Sequence, residues 1–346
     1  MVFRMLPLYV RSAVGITIFA AIGLAQQNPA AAPYKVIKTV KVGGVGGFDY
    51  VYADVDGRRL YIPRPGASGA RITVFDLDSL APVGEISGVN ARGVAVDPKS
   101  HHGFATSKPV LMWDTNTLTT IKSIDVDGAP DGILFDPFNQ RVYVFSHRAP
   151  NATVINATDG SVVGTIDLGG APEQAVTDRS GHIYVDIEDK DNIAVVDAKS
   201  LKVTTHYDLA GKGGGPGGLA LDEKNHVLFA ACHEPATMVI LSAADGKIIT
   251  TLPIGKGVDG AGFNPGTMEA FSTQGDGTLT VIGENSPTSF VVEQNVATRV
   301  GARTMTVDTR TDRIFTVTGD FMPLPEGTRG RPQMAPDSFS VIVVGK

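Results

Sequence analysis

Residues 133–145 read ILFDPFNQRVYVF: a short apolar run, a polar turn opened by Asp136, and a second apolar run. Apolar runs of this length bounded by Asp, Asn, Gly or Pro are strand signatures, and Asp, Pro and Asn supply the chemistry of the turn between them. The pattern returns as YADVDGRRLYI around Asp54, VAVDPKSHHGFAT around Asp97 and AVTDRSGHIYVDI around Asp178. It returns again as LALDEKNHVLFAA around Asp222, AGFNPGTMEAFST around Asn264 and MTVDTRTDRIFTV around Asp308. With Asp136 in its place, the intervals are 43, 39, 42, 44, 42 and 44 residues. In the unit around Asp136 the same reading predicts strands at 132–135, 141–145, 152–156 and 161–167. Four antiparallel strands per unit, seven times over, predict an all-β chain folded as a seven-bladed β-propeller.

Closure of the ring is also legible. The seventh unit ends with the strand pattern at 339–344 and is one strand short. YKVIKTVKV at 34–42 has the pattern of the outer strands elsewhere, and pairing it with the last unit would remove an open sheet edge.

The chain resembles the YVTN-type, YncE-like seven-bladed β-propeller repeat family. The resemblance is carried by second strands such as Val142-Tyr143-Val144-Phe145 and Ile183-Tyr184-Val185-Asp186, and third strands such as Ile193-Ala194-Val195-Val196-Asp197. It runs over about residues 34–346. It implies a propeller exported from a bacterial cell and leaves the activity open, because this fold carries binding proteins, hydrolases and lyases alike. Trp113-Asp114 stands where a WD repeat has its dipeptide, but the equivalent positions in other units are Phe75-Asp76, Ile155-Asn156 and Leu241-Ser242.

Of the 346 residues 42% are hydrophobic and 19% charged, which excludes a disordered chain. The formal charge of −6 argues against nucleic acid as the main partner. The single cysteine, Cys232, excludes an intrachain disulfide. Arg4 and Arg11 precede an uncharged run, SAVGITIFAAIGLA at 12–25, which reads as a signal peptide cleaved after Ala25. Residues 26–33 then read as a flexible tether, and 34–346 as one domain interrupted by a long Pro-rich loop at 320–338. The mature chain is expected in the periplasm or the medium, without a membrane span, as a monomer.

In a propeller, the loops entering the innermost strands share one face with those joining second to third strands. The first set places Asp49, Arg92, Asp131, Glu173, Asp259 and Arg303 there. The second adds Arg64, His147, Arg148, Glu188, His233 and Glu234. Such residues also serve simply to solvate a wet channel mouth. As a site, this ring and the 320–338 loop suit a binding or scaffolding module whose partner is a small molecule, a sugar or a protein. The alternative is a metal-assisted, lactonase-like hydrolase or lyase in the central funnel. There Asp131, Glu173 and Asp259 would hold Ca²⁺ or Mg²⁺ as oxygen ligands. Alternatively, His147 or His233 would act as a general base beside Glu188 or Glu234. No cofactor is demanded by the residues, and no catalytic set can be assembled from them. Gly211–Gly218 lacks the order of a phosphate-binding loop, and Gly66–Ala70 lacks the final glycine of a nucleophile elbow.

Overall fold

The seven repeated aspartates and asparagines explain the local structure. Each opens a tight turn, accepting a backbone N–H two or three residues on: Asp97 from Lys99 at 3.0 Å, Asp136 from Phe138 at 3.2 Å, Asp222 from Lys224 at 2.9 Å and Asn264 from Gly266 at 2.9 Å. Six of the turns end four residues on at a residue with positive φ, at Arg58, His101, Gln140, His226, Met268 and Asp312; the turn of blade four has positive φ at Arg179 and Gly181 instead. The side-chain acceptor satisfies the turn and holds its left-handed corner, which places the repeat unit in register.

The computed structural model describes residues 1–2, 32–67, 69–149, 151–323 and 333–346. The expected signal peptide, its cleavage point and nearly all of the tether lie outside the described residues, as do residues 324–332 of the long loop. Pro33–Lys346 forms one compact unit. It contains seven four-stranded antiparallel sheets, each a blade, and in six of them the strands follow one another in the chain from the centre outwards. Blade three has strands Pro130–Asp136, Arg141–Ser146, Asn151–Asn156 and Val162–Asp167, close to the bounds read from the sequence. Among the described residues no helix is long and apolar enough to cross a membrane.

Blade seven is completed as expected. Its sheet runs Lys35–Lys41, Ser340–Gly345, Arg313–Thr318, Met305–Asp308, so the N-terminal strand is its outer edge. Lys41 pairs with Ser340 and Lys35 with Gly345.

The core lies between blades. Second and third strands are buried on both faces, as in Val227–Cys232, while outer strands such as Val162–Asp167 stay largely exposed. Between blades one and two, Trp113 is fully buried and packs against Tyr61 with ring centroids 5.8 Å apart. Gly103 makes room for it: a Cβ there would stand 2.2 Å from the indole ring.

Candidate functional site

The side chains at the channel mouth owe their direction to β-bulges. The pairing of inner with second strands slips between Pro130 and Ile133, between Pro172 and Ala175, and between Val258 and Ala261. Asp131, Glu173 and Asp259 sit in these slips. A bulge adds a residue to one strand and re-aims its side chain, which here turns three carboxylates toward the axis. The next residue is glycine in most blades because neighbouring inner strands come close: a Cβ on Gly132 would lie 2.7 Å from Glu173 O.

Blade four has Gln174 at that position. Its Oε1 accepts from the Leu219 and Ala261 N–H groups at 3.1 Å each, and its Nε2 donates to Ala261 O at 3.0 Å. One side chain thus ties blade four to blades five and six within a central channel of about 630 Å³. Blade five contributes Gly217 to the ring, and His233 covers it, with Nε2 3.0 Å from where a Cβ would be.

The mouth joins most of the expected residues into one network. Arg92 bridges Asp49 at 2.9 Å and Asp131 at 3.8 Å, and Arg303 pairs with Asp259. His147 Nδ1 lies 2.9 Å from Glu173 Oε1, and its Nε2 is 3.7 Å from Glu188. His233 Nε2 stands 4.0 Å from the other Glu188 oxygen. The Tyr50 hydroxyl, which the sequence reading missed, donates to Glu173 Oε2 at 2.7 Å.

Three expected residues stand apart. Arg64 is a correction: it has no exposed surface, and its guanidinium donates to the carbonyls of Gly43, Val45, Gly46 and Gly47 while stacking on Phe339 at 3.6 Å. It organises the segment after the N-terminal strand and offers nothing to a ligand. Arg148 and Glu234 are exposed and take no part in the contacts of the network. The expected metal trio is also rearranged. Asp259 is engaged by Arg303 and Asp131 faces Arg92. Among the described residues, the group whose donor atoms converge is His147, Glu173 and Glu188, all within 4.8 Å of one another.

Five carboxylates (Asp49, Asp131, Glu173, Glu188, Asp259) meet two guanidiniums here. Burial pushes Asp49 up to about 7, and the charges of Asp131 and Asp259 add to the rise. Burial likewise pushes Glu173 up to about 8 against the hydrogen bond from Tyr50, with Asp131, Glu188 and Asp259 adding to it. Asp131 is raised too, again chiefly by burial. The folded chain therefore holds a proton on Asp49 more tightly than the unfolded chain does, and folding stability drops as pH rises from about 4 through about 7. Asp49→Asn removes that loss. In urea melts the variant should match the parent near pH 4 and exceed it by about 2–4 kcal/mol above pH 8. A difference that does not vary with pH would refute a raised Asp49 pKa, whose first cause is burial.

No protein-family model matches the chain, and no curated protein sequence does. Among solved structures, a chain in one titled "Crystal Structure of Mitotic Checkpoint Complex" is similar, with a TM-score of 0.69 over 88% of this chain and 95% of that one. At 11% identity the likeness is one of fold alone. It agrees with the seven closed sheets, and the chain is a seven-bladed β-propeller.

Proposed function

We propose that this propeller is an exported, YVTN-type binding module whose ligand enters the acid-lined mouth and carries positive charge. The observation behind this reading is the convergence of five carboxylates on two guanidiniums, where burial, with the repulsion of neighbouring carboxylates, pushes Asp49 up to about 7 and Glu173 to about 8. An incoming cation relieves that repulsion, and a concave mouth with convergent polar groups is the usual form of a recognition site. The rim supports the same reading. The ends of the long loop pair through Phe321 and Met334, and Asp320 is bound to Arg299, so the loop leaves the rim of blade seven from an ordered base.

The test uses secreted chain, whose N-terminus is expected at Gln26. Saturating spermidine should raise the melting temperature by several degrees, since a ligand at 100 times its Kd adds about 2.7 kcal/mol. The response should vanish in the Asp131→Asn/Glu173→Gln double variant. A shift with neutral sugars and none with spermidine would contradict the proposal.

A second reading, a metal-assisted hydrolase or lyase of lactones, is favoured by one observation: the convergence of His147, Glu173 and Glu188. Lactone hydrolysis that depends on added metal and disappears in Glu173→Gln would support it.

A further inference from the structure

We propose that the cation held at this mouth is a divalent first-row transition ion of the zinc or manganese class, bound between His147, Glu173 and Glu188. The proposal rests on the reading of the mouth as a site for positive charge, and names the ion and its ligands.

The three donors come from separate pieces of chain. His147 follows the second strand of blade three, Arg141–Ser146; Glu173 sits in the bulge of Pro172–Thr177; Glu188 follows His182–Ile187. Folding brings one donor atom of each within 4.8 Å of the others. The contact between the first two is unusual. His147 Nδ1 is buried and has no hydrogen-bond partner, although Glu173 Oε1 is 2.9 Å away. The pair is near enough to bond and is not aligned to do so. Two donors 2.9 Å apart without a bond between them match the edge of an octahedron with metal–ligand bonds of about 2.1 Å.

The surroundings have the layout of a metal site's outer layer. Tyr50 donates to Glu173 Oε2, which orients the carboxylate and leaves Oε1 toward His147. His233 Nε2 stands 4.0 Å from Glu188 and lies outside the three converging donors.

A separate observation comes from Asp186. It is fully buried, and neither carboxylate oxygen has a hydrogen-bond partner. The ladder pairs Pro172 with Ile187 and Ala175 with Val185, so Asp186 stands opposite the bulge that carries Glu173. A buried carboxylate without protein partners is rare in a native fold and calls for a positive charge or ordered water nearby. Asp186 senses the charge of Glu173, so an ion on Glu173 would offset the negative charge beside it.

The donor set also selects the metal. Calcium and magnesium take oxygen ligands, whereas an imidazole with two carboxylates suits zinc, manganese or iron.

The test is calorimetric titration of chelator-stripped chain with Zn²⁺ and Mn²⁺, alongside Ca²⁺ and Mg²⁺. One saturable site for the transition ions is expected, weakened at least about tenfold in His147→Ala and in Glu188→Gln. Melting curves of both variants without metal check that they fold, and the second variant serves if the first does not. No saturable binding by the parent chain, or binding unchanged in both variants, overturns the proposal. So does Ca²⁺ binding that survives His147→Ala, because an oxygen-only site would then be elsewhere in the mouth. The spermidine response separates this failure from that of the broader reading. If spermidine still stabilises the parent and not the double variant, the mouth remains a cation site without a metal; if it does not, both readings fall.

Discussion

A chain lacking residues 33–44 should lose at least about 10 °C of melting temperature, or fail to accumulate as folded protein. The deletion removes the outer strand of blade seven and bares the Ser340–Gly345 edge. It also removes Tyr34, which ties blade seven to blade six. Tyr34 is buried, meets Phe271 edge-on with centroids 5.4 Å apart, and donates its hydroxyl to Glu269. Its backbone N–H and carbonyl are both bonded to the side chain of Gln294, at 2.9 and 2.7 Å. Truncating a buried aromatic alone costs about 3–5 kcal/mol, and the lost strand pairing adds to this. Tyr34→Ala in the full chain should show the first part of the loss by itself. A deletion variant melting within a few degrees of the parent would show that the ring closes without this strand.

Arg64→Ala should destabilise by about 3–4 kcal/mol while leaving ligand binding at the mouth unchanged in the protein that remains folded. The guanidinium is buried deeply enough for desolvation to pull it down to about 10, yet four carbonyls of the 43–47 segment converge on it and Phe339 lies flat beneath it. Without it those carbonyls have no common partner, and the segment that leads from the closing strand into blade one loses its anchor. Arg64→Lys should recover little, since a point charge cannot span four acceptors laid out for a planar fork. Denaturant melts of the two variants decide this. A neutral Arg64→Ala would mean that water replaces the guanidinium at no loss.

Arg64 shows where reading a repeat stops. Its position, at the end of a second strand, is equivalent to those preceding His147, Glu188 and His233, and the topology places all of them on one face. Direction within that face depends on what lies beside each residue. For Arg64 the neighbour is the glycine-rich stretch at 43–47, whose bare carbonyls draw the guanidinium inward. For His147 the neighbour is the Glu173 bulge of the next blade. Gln174 had a signal that was available: it is bulky where blades two, three, five and six have glycine in Gly93, Gly132, Gly218 and Gly260. Tyr50 had the same signal, because it follows Asp49 at the position where those four blades have glycine.

By itself the sequence determined the architecture: seven blades, their strands to within a few residues, and closure by the N-terminal strand. A turn-forming Asp or Asn recurring at near-constant spacing constrains local backbone geometry, and local geometry repeated seven times leaves one way to bury the apolar runs between sheets. The tertiary structure alone decided which ionisable groups meet. At the mouth those contacts join residues up to 123 positions apart, as in Tyr50 with Glu173, and depend on bulges that swing a side chain by one strand face. A repeat specifies the face on which a side chain emerges; only the packed ring sets the few ångströms that separate a solvated carboxylate from a ligand.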